Sequence, residues 1–322
     1  MAAPPDDTLA ALLGESSVLA PAGRSAAAIA ELSWWLFGGA TLIWLVVIGL
    51  SIYAAYFGPR AHDEAKVRLL VVGGGAVIPT LVLAGVLAWG LWLMPQVKPP
   101  LPQGAVEIEV EGLQWWWRAR YRAETGETAV PVANELALPV GRPAVLRLTS
   151  PDVIHSFWVP ALAGKMDMIP GRETVIVLEP TRTGVFRGAC AEYCGASHAL
   201  MSFAVLVMEP AAWEAWLARQ AAPAEPPASA AAQRGMAVFT EYGCGACHAI
   251  RGTEADGDVG PDLTHVGSRR TLAAGALPNT PDDYVRWISD VHEVKPDANM
   301  PPFGMLPEGD LAALALYLDG LT

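Results

Sequence analysis

The sequence predicts a multidomain membrane protein made of a two-helix transmembrane hairpin, a small β-sandwich or barrel and an all-α C-terminal domain. Three observations predict this. Residues 34–57 and 69–94 contain no charged side chain, and each run exceeds the roughly 20 apolar residues that a helix needs to cross a hydrocarbon layer. After Ala105 the pattern changes to short β-rich runs separated by Pro and Gly, as in a sandwich or barrel. Residues 220–233 are almost wholly Ala, Pro, Glu, Ser and Gln, a linker composition that sets off a last folded unit. At 322 residues, with 52% hydrophobic and 17% charged side chains, the chain is too long for one ordinary domain and too apolar for disorder.

Residues 1–33 read as an external segment without the basic region and apolar core of a conventional cleavable leader. The runs at 34–57 and 69–94 are apolar on every face, which favours membrane spans over buried core helices. The connector at 58–68 carries Arg60, Lys66 and Arg68, whereas the outer flanks offer Arg24 and Lys98; this asymmetry puts the connector in the cytoplasm and both termini outside. Neither span holds an acidic or basic residue, so no proton wire is expected in this chain's part of the bilayer. Within residues 101–219, Val106–Glu111 alternates with period two, Ala144–Thr149, Thr174–Leu178 and Phe203–Met208 are further strands, and a short helix follows at Trp213–Arg219. Residues 234–322 form the last unit, whose helix from Gln233 to Phe239 is expected to meet a C-terminal helix from Glu308 to Leu318.

All four cysteines fall in two short motifs, Cys190-Ala-Glu-Tyr-Cys194-Gly-Ala-Ser-His198-Ala-Leu-Met201 and Cys244-Gly-Ala-Cys247-His248. The first offers two thiolates, an imidazole and a thioether in one loop, the soft donor set that copper prefers. Two sulfurs four residues apart can bridge two copper ions, with His198 and Met201 capping the pair; His155, directly after a strand, is the candidate second imidazole. A disulfide between Cys190 and Cys194 is the alternative, disfavoured by the His and Met on the same loop. The second motif is the attachment signature of a covalent c-type haem, with thioethers from Cys244 and Cys247 and proximal iron ligation by His248. Zinc or dithiol chemistry lacks the four-ligand shell or βαβ context that it requires. Met300, in Asn299-Met-Pro-Pro-Phe303, is the expected distal ligand; Met305 is a competitor, and His265 and His292 read as surface residues.

Gly112-Leu-Gln-Trp-Trp-Trp117, His155-Ser-Phe-Trp-Val-Pro160, Met168-Ile-Pro-Gly-Arg172 and the Cys190–Met201 loop together resemble subunit II of haem-copper cytochrome c oxidases over residues 30–215, and the Met300 loop resembles class I cytochromes c. The resemblance implies a cupredoxin-like domain with a dinuclear CuA centre held by His155, Cys190, Cys194, His198, Met201 and the backbone carbonyl of Glu192. It implies magnesium on the Glu192 carboxylate at the interface with subunit I, and makes Trp115 the aromatic through which electrons reach CuA. Trp116 and Trp117 then read as packing residues, and Asp167 as either a turn residue or part of that interface. Two departures stand out. Leu113 occupies the place of a histidine frequent in the family, and the second span lacks the family's proton-path Glu near its cytoplasmic start, leaving only Asp63 and Glu64 nearby.

The function implied is an electron-receiving subunit of a terminal oxidase in a bacterial inner membrane, passing electrons from haem c through CuA to subunit I on the periplasmic face, with further membrane subunits as partners. An electron-delivery subunit of a nitric oxide or nitrous oxide reductase and a membrane-anchored copper-binding assembly protein are the alternatives. Residues 234–322 hold 6 basic against 13 acidic side chains, a net charge of −7. That field favours a basic cytochrome c or a basic patch on a quinol-oxidising complex as donor, and disfavours nucleic acid.

Overall fold

The computed structural model describes residues 6–58, 63–122 and 130–322; Arg60, one of the orienting charges, lies outside the described residues. The chain divides into two compact units, one of residues 27–100 and one that joins the residues before 27 to residues 101–322.

Helix α1 (Asp6–Leu13) is followed by α2 (Arg24–Tyr56). The latter begins at Arg24 rather than at Trp34 because the Ala-rich stretch Ser25–Ala30 has high helix propensity and continues the apolar helix. The second long helix is a continuous run of α3 (Glu64–Arg68), a π-helical stretch Leu69–Val77 and α4 (Ile78–Val97). Asp63 caps it by accepting the Ala65 N–H at 2.9 Å. In the unit of residues 27–100, Trp34, Trp44, Leu81 and Trp92 are 61%, 60%, 66% and 67% exposed, a surface suited to lipid rather than water.

The other unit contains strands β1 (Val106–Leu113), β2 (Trp116–Tyr121), β3 (Val130–Ala133), β4 (Glu135–Pro139), β5 (Ala144–Thr149), β6 (His155–Trp158), β7 (Met166–Met168), β8 (Thr174–Leu178), β9 (Gly184–Cys190) and β10 (Ser202–Met208). They form two sheets, ordered β3-β2-β1-β5-β8 and β4-β10-β9-β6-β7. Along β1, buried Val106, Ile108 and Val110 alternate with half-buried Glu107, Glu109 and Glu111, as the period of a half-buried strand requires. Between the sheets Trp117 meets Phe157 and Phe203 with ring centroids 5.8 and 4.8 Å apart. Helix α5 (Pro210–Ala221) is laid on this sandwich by buried Trp213 and Trp216; the Trp213 indole donates to Ala137 O at 3.0 Å. The N-terminal segment is also fastened here. Glu15 N donates to Val185 O at 2.9 Å and Ala22 N to Ala161 O at 2.6 Å.

Residues 222–229 connect α5 to α6 (Ala230–Glu241), and here the structure corrects the sequence reading of an unpacked linker. Ala224 N donates to Arg251 O at 2.8 Å, the Arg251 guanidinium donates to Gln220 O at 2.5 Å, and His265 Nε2 lies 3.0 Å from Ala222 O. A segment without large side chains still offers backbone donors and acceptors, and these are what the last domain binds. Helix α6 starts at Ala230 because Ser229 accepts the Ala232 N–H at 3.1 Å. After it come a two-strand ribbon, β11 (Thr271–Leu272) and β12 (Leu277–Pro278), and helices α7 (Pro281–Ser289), α8 (Val291–Val294) and α9 (Glu308–Asp319). Helices α6 and α9 cross at Gly235, where a Cβ would fall 2.1 Å from Ala313 O. Only glycine allows that approach.

Candidate metal and haem sites

His155 opens β6 and Cys190 closes β9, and these strands are neighbours, with Phe157 opposite Cys190. Sheet pairing thus carries an imidazole to a loop that begins 35 residues later in sequence. Donor atoms of His155, Cys190 and Cys194 all lie within 4.8 Å of one another. Cys190 Sγ is 3.8 Å from His155 Nδ1, 3.8 Å from Cys194 Sγ and 3.1 Å from Glu192 O. Cys194 Sγ is 3.6 Å from His198 Nδ1 and 3.8 Å from Met201 Sδ. The sulfurs are far beyond a disulfide's roughly 2.05 Å, and both cysteines are free and buried.

The ring orientation of His155 is set from outside the cluster. Its Nε2 is 2.9 Å from Asp152 Oδ1; a carboxylate oxygen only accepts, so the proton belongs on Nε2 and the Nδ1 lone pair faces the sulfurs. Room for the ring comes from Gly112, where a Cβ would sit 3.1 Å from His155 Cγ. Burial works against charging His155, but its hydrogen bonds with Cys190 and Asp152 outweigh this and raise its pKa. The hydrogen bond from the Cys194 thiol holds Cys190 far below the ordinary thiol range, and Cys194 is raised by the same bond. Two sulfurs, two imidazoles, a thioether and a carbonyl make a soft, buried donor set that fits copper.

The Glu192 side chain faces outward. Lys165 Nζ lies 3.5 Å from it and 2.8 Å from Asp167 Oδ1. Asp167 stands in β7 rather than in a turn and also accepts from Ser156 Oγ at 2.8 Å. With an ammonium between them, these two carboxylates do not by themselves make a site for magnesium.

A cavity of about 390 Å³ is lined by Cys244, Cys247, His248 and Met300. His248 Nδ1 lies 2.8 Å from Pro261 O, so it carries the proton and leaves Nε2 as the free ligand nitrogen; burial lowers the pKa of this ring. Thr271 and Tyr284 also line the cavity, and among the described residues Thr271 Oγ1 is buried without a hydrogen-bond partner, a polar atom suited to a group that brings its own carboxylates. The residues therefore fit a haem. Met305 is 74% exposed, whereas Met300 is half-buried in the cavity wall. His292 is exposed, but His265 is buried, which corrects its reading as a surface residue: its two ring nitrogens lie 3.1 and 3.0 Å from the carbonyls of Thr322 and Ala222. His265 is not among the residues that line the cavity of Cys244, Cys247 and His248.

The two sites share a wall. Leu113, Gln114, Trp115, Trp116 and Asp152 of the sandwich line the same cavity. Trp115 is 6% exposed and its indole N–H donates to Cys194 O at 3.0 Å, beside the Gln114 amide, which donates to the same oxygen at 2.7 Å. Trp117 is a core residue, and Trp116 lies half-buried with Arg118 5.0 Å from its ring. Asp152 and the seam of contacts described below are not among the residues singled out from sequence. Asp152, three positions before His155, carries a usable signal, since a ligand histidine needs an acceptor on its other nitrogen.

Also on this seam, Glu135 of β4 is buried and accepts the backbone N–H of Arg270. Burial raises its carboxyl to about 7, partly offset by that bond and by Arg269 and Arg270. Unfolded, it would ionise near 4.5. Its contribution to stability is thus complete below pH 4.5 and is lost as pH rises to about 7, by about 3 kcal/mol at most. Glu135→Gln removes this dependence and keeps an acceptor for Arg270. Its melting temperature relative to the parent should rise from pH 4.5 to pH 8; an offset equal at both pH values would show an ordinary carboxyl.

The fold defines a membrane-anchored redox class, in which two apolar helices precede in sequence a cupredoxin-like sandwich and a cytochrome c domain. Residues 122–208 match the family described as cytochrome c oxidase subunit II, periplasmic domain, and residues 232–322 match cytochrome c. Cytochrome c oxidase subunit 2 of Alkalihalophilus pseudofirmus is 33% identical over 305 residues, covering 89% of this chain and 87% of that one. The subunit 2 of Bacillus sp. strain PS3 is 30% identical over 266 residues, covering 79% and 71%. The crystal structure of the periplasmic domain of subunit II of cytochrome oxidase of Bradyrhizobium japonicum aligns with a TM-score of 0.34 at 31% identity, over 37% of this chain and 95% of that one. This chain belongs to the cytochrome c oxidase subunit 2 family, in the form that carries a C-terminal cytochrome c domain, and is a subunit of a membrane oxidase complex.

Proposed function

We propose that this chain receives electrons for a terminal oxidase on the periplasmic side of a bacterial inner membrane and delivers them to subunit I, where oxygen is reduced to water. The observation that carries this reading is the juxtaposition, in one compact unit, of the buried sulfur–imidazole cluster and the Cys-x-x-Cys-His cavity, with Trp115 in contact with the first and lining the second.

In this reading His155, Cys190, Cys194, His198, Met201 and the Glu192 carbonyl hold a dinuclear copper centre, while Cys244, Cys247, His248 and Met300 hold haem c. When bound, these groups supply reversible one-electron chemistry at nearly fixed geometry. The chain's own part is to keep that geometry fixed. Adjacent strands hold His155 and Cys190, Asp152 and Pro261 keep the protons on the outer imidazole nitrogens, and His155, Cys190, Cys194 and Met201 are buried. The relatives named above are cytochrome c oxidase subunits, which favours oxygen over nitrogen oxides as the partner's substrate. The test is an optical and paramagnetic-resonance spectrum of the purified complex. A seven-line copper signal with reduced haem c bands and additional haem a bands is expected; copper without haem, or a complex that reduces nitrogen oxides alone, would overturn the reading.

The donor is proposed to be a basic cytochrome c or a basic patch on a quinol-oxidising complex. Glu254, Asp256 and Asp258 lie exposed close after the attachment motif. Turnover with a cationic donor should therefore slow steadily as ionic strength rises, because such fields are screened within about 10 Å at 0.1 M salt. A rate indifferent to salt would remove the electrostatic basis for this donor.

A further inference from the structure

The structure assigns Lys295 a role as a positioning residue: its buried amino group fastens the cytochrome c domain to the Trp115 face beside the copper loop and so fixes the geometry of electron transfer between the two sites. This rests on the reading that both groups are bound where proposed above.

Lys295 follows α8 and is 3% exposed. Its Nζ donates to Trp115 O at 2.6 Å, across the boundary between the domains, and to Ala273 O at 2.8 Å within its own domain. No carboxylate forms an ion pair with it among the described residues. Burying an amino group on two carbonyls costs desolvation, which also lowers its pKa to about 7, and a leucine or methionine would avoid that cost, so a stable core does not explain its presence. The place it grips does. Trp115 is bonded through its indole to Cys194 O, and the next residue along, Pro296, accepts the hydroxyl of buried Ser197 through its carbonyl at 2.6 Å, one position before His198. Residue 296 thus holds the copper loop directly at Ser197 and residue 295 holds it through Trp115, while Lys295 also lines the haem cavity.

A consequence follows for the donor. With Trp115 buried beneath this contact, an external protein does not reach it, and electrons arrive through the cytochrome c domain. The transfer that Lys295 supports moves one electron from one bound group to the other and makes or breaks no bond, so position is the whole of its contribution.

The experiment uses the complete oxidase with copper and haem loaded, carrying Lys295→Met, which keeps chain length without the donor, or Lys295→Ala, which admits water. One electron is injected by flash photoreduction of the haem, and the rate of its arrival at copper is followed. In parallel, relaxation of the copper paramagnetic signal by ferric haem reports the distance between the two. Expected in both variants are a rate lower by about tenfold or more, weaker relaxation enhancement, and unchanged optical spectra and midpoint potentials of each group. Unchanged rate and relaxation would overturn the proposal. Loss of haem c absorbance in both variants would also overturn it, by making Lys295 a folding element of its own domain. Absence of either signal in the parent complex would instead count against the functional reading beneath it.

Discussion

Gly260→Ala is expected to abolish the low-spin haem c spectrum while leaving the copper signal intact. A Cβ at residue 260 would stand 2.4 Å from Cε1, 2.7 Å from Nδ1 and 3.0 Å from Nε2 of His248. No real Cβ tolerates those distances, so either the imidazole swings out or the backbone moves. The ring is held by its bond to Pro261 O, and Gly260 N donates to Cys247 O at 2.7 Å, so both responses disturb the proximal side of the cavity. A shift of the order of 1 Å at a ligand nitrogen is enough to break an axial bond, whose length is itself held to tenths of an ångström. The copper loop draws its support from a separate hydrophobic core, which is why its signal should survive. Gly309→Ala is the control. Nothing lies within 4 Å of a Cβ there, and alanine inside α9 should stabilise the helix by up to about 1 kcal/mol. Retention of a Met-ligated haem in Gly260→Ala would show that His248 is not the proximal ligand in this geometry.

What the sequence makes legible is what lies close along the chain. The donors of the copper loop fall within Cys190–Met201, and the attachment motif within Cys244–His248, so motif spacing finds them. The four strands β1, β5, β8 and β10 are apolar or strictly alternating, and they coincide with the runs expected. Strand β2 is harder to see. In Trp116-Trp-Arg-Ala-Arg-Tyr121 the buried Trp117, Ala119 and Tyr121 alternate with half-buried Arg118 and Arg120, a period-two signal confined to six residues, and the strand pairs with β1 and β3. Strand β9 contains two glycines, one of which, Gly188, is required because a Cβ there would strike the Phe203 ring at 2.1 Å.

The contacts that join the sites are the least legible. Trp115 to Cys194, Glu135 to Arg270 and Lys295 to Trp115 connect residues 79, 135 and 180 positions apart. No local pattern records such pairs, since each half looks like an ordinary tryptophan, glutamate or lysine. The linker misleads for a related reason. Composition measures the side chains available for packing, whereas residues 222–224 are held through their backbone. His265 likewise reads as a surface residue until two carbonyls are found facing its ring.

Cys194→Ser should lower copper content to one ion or fewer per chain, erase the seven-line signal and reduce oxygen consumption by at least about a hundredfold, with haem c absorbance unchanged. Cys194 is the hub of the cluster. Its sulfur is within 3.8 Å of Cys190 Sγ, His198 Nδ1 and Met201 Sδ, so its loss removes the one atom near all three. Serine replaces a polarisable thiolate with a hydroxyl that stays protonated at neutral pH, a harder donor that copper disfavours. Changing a partner in the outer shell of a metal site typically costs 10- to 100-fold in metal affinity or activity, and in the proposed function Cys194 would hold the metal directly. Asp152→Ala provides the graded comparison: it leaves every donor atom in place but removes the acceptor that fixes the His155 tautomer at 2.9 Å. Copper affinity should then fall about 10- to 100-fold, less than in Cys194→Ser. Equal loss in the two variants would mean that Asp152 supports the fold of the loop rather than the orientation of a ligand. Full copper retention in Cys194→Ser would show that the metal lies elsewhere.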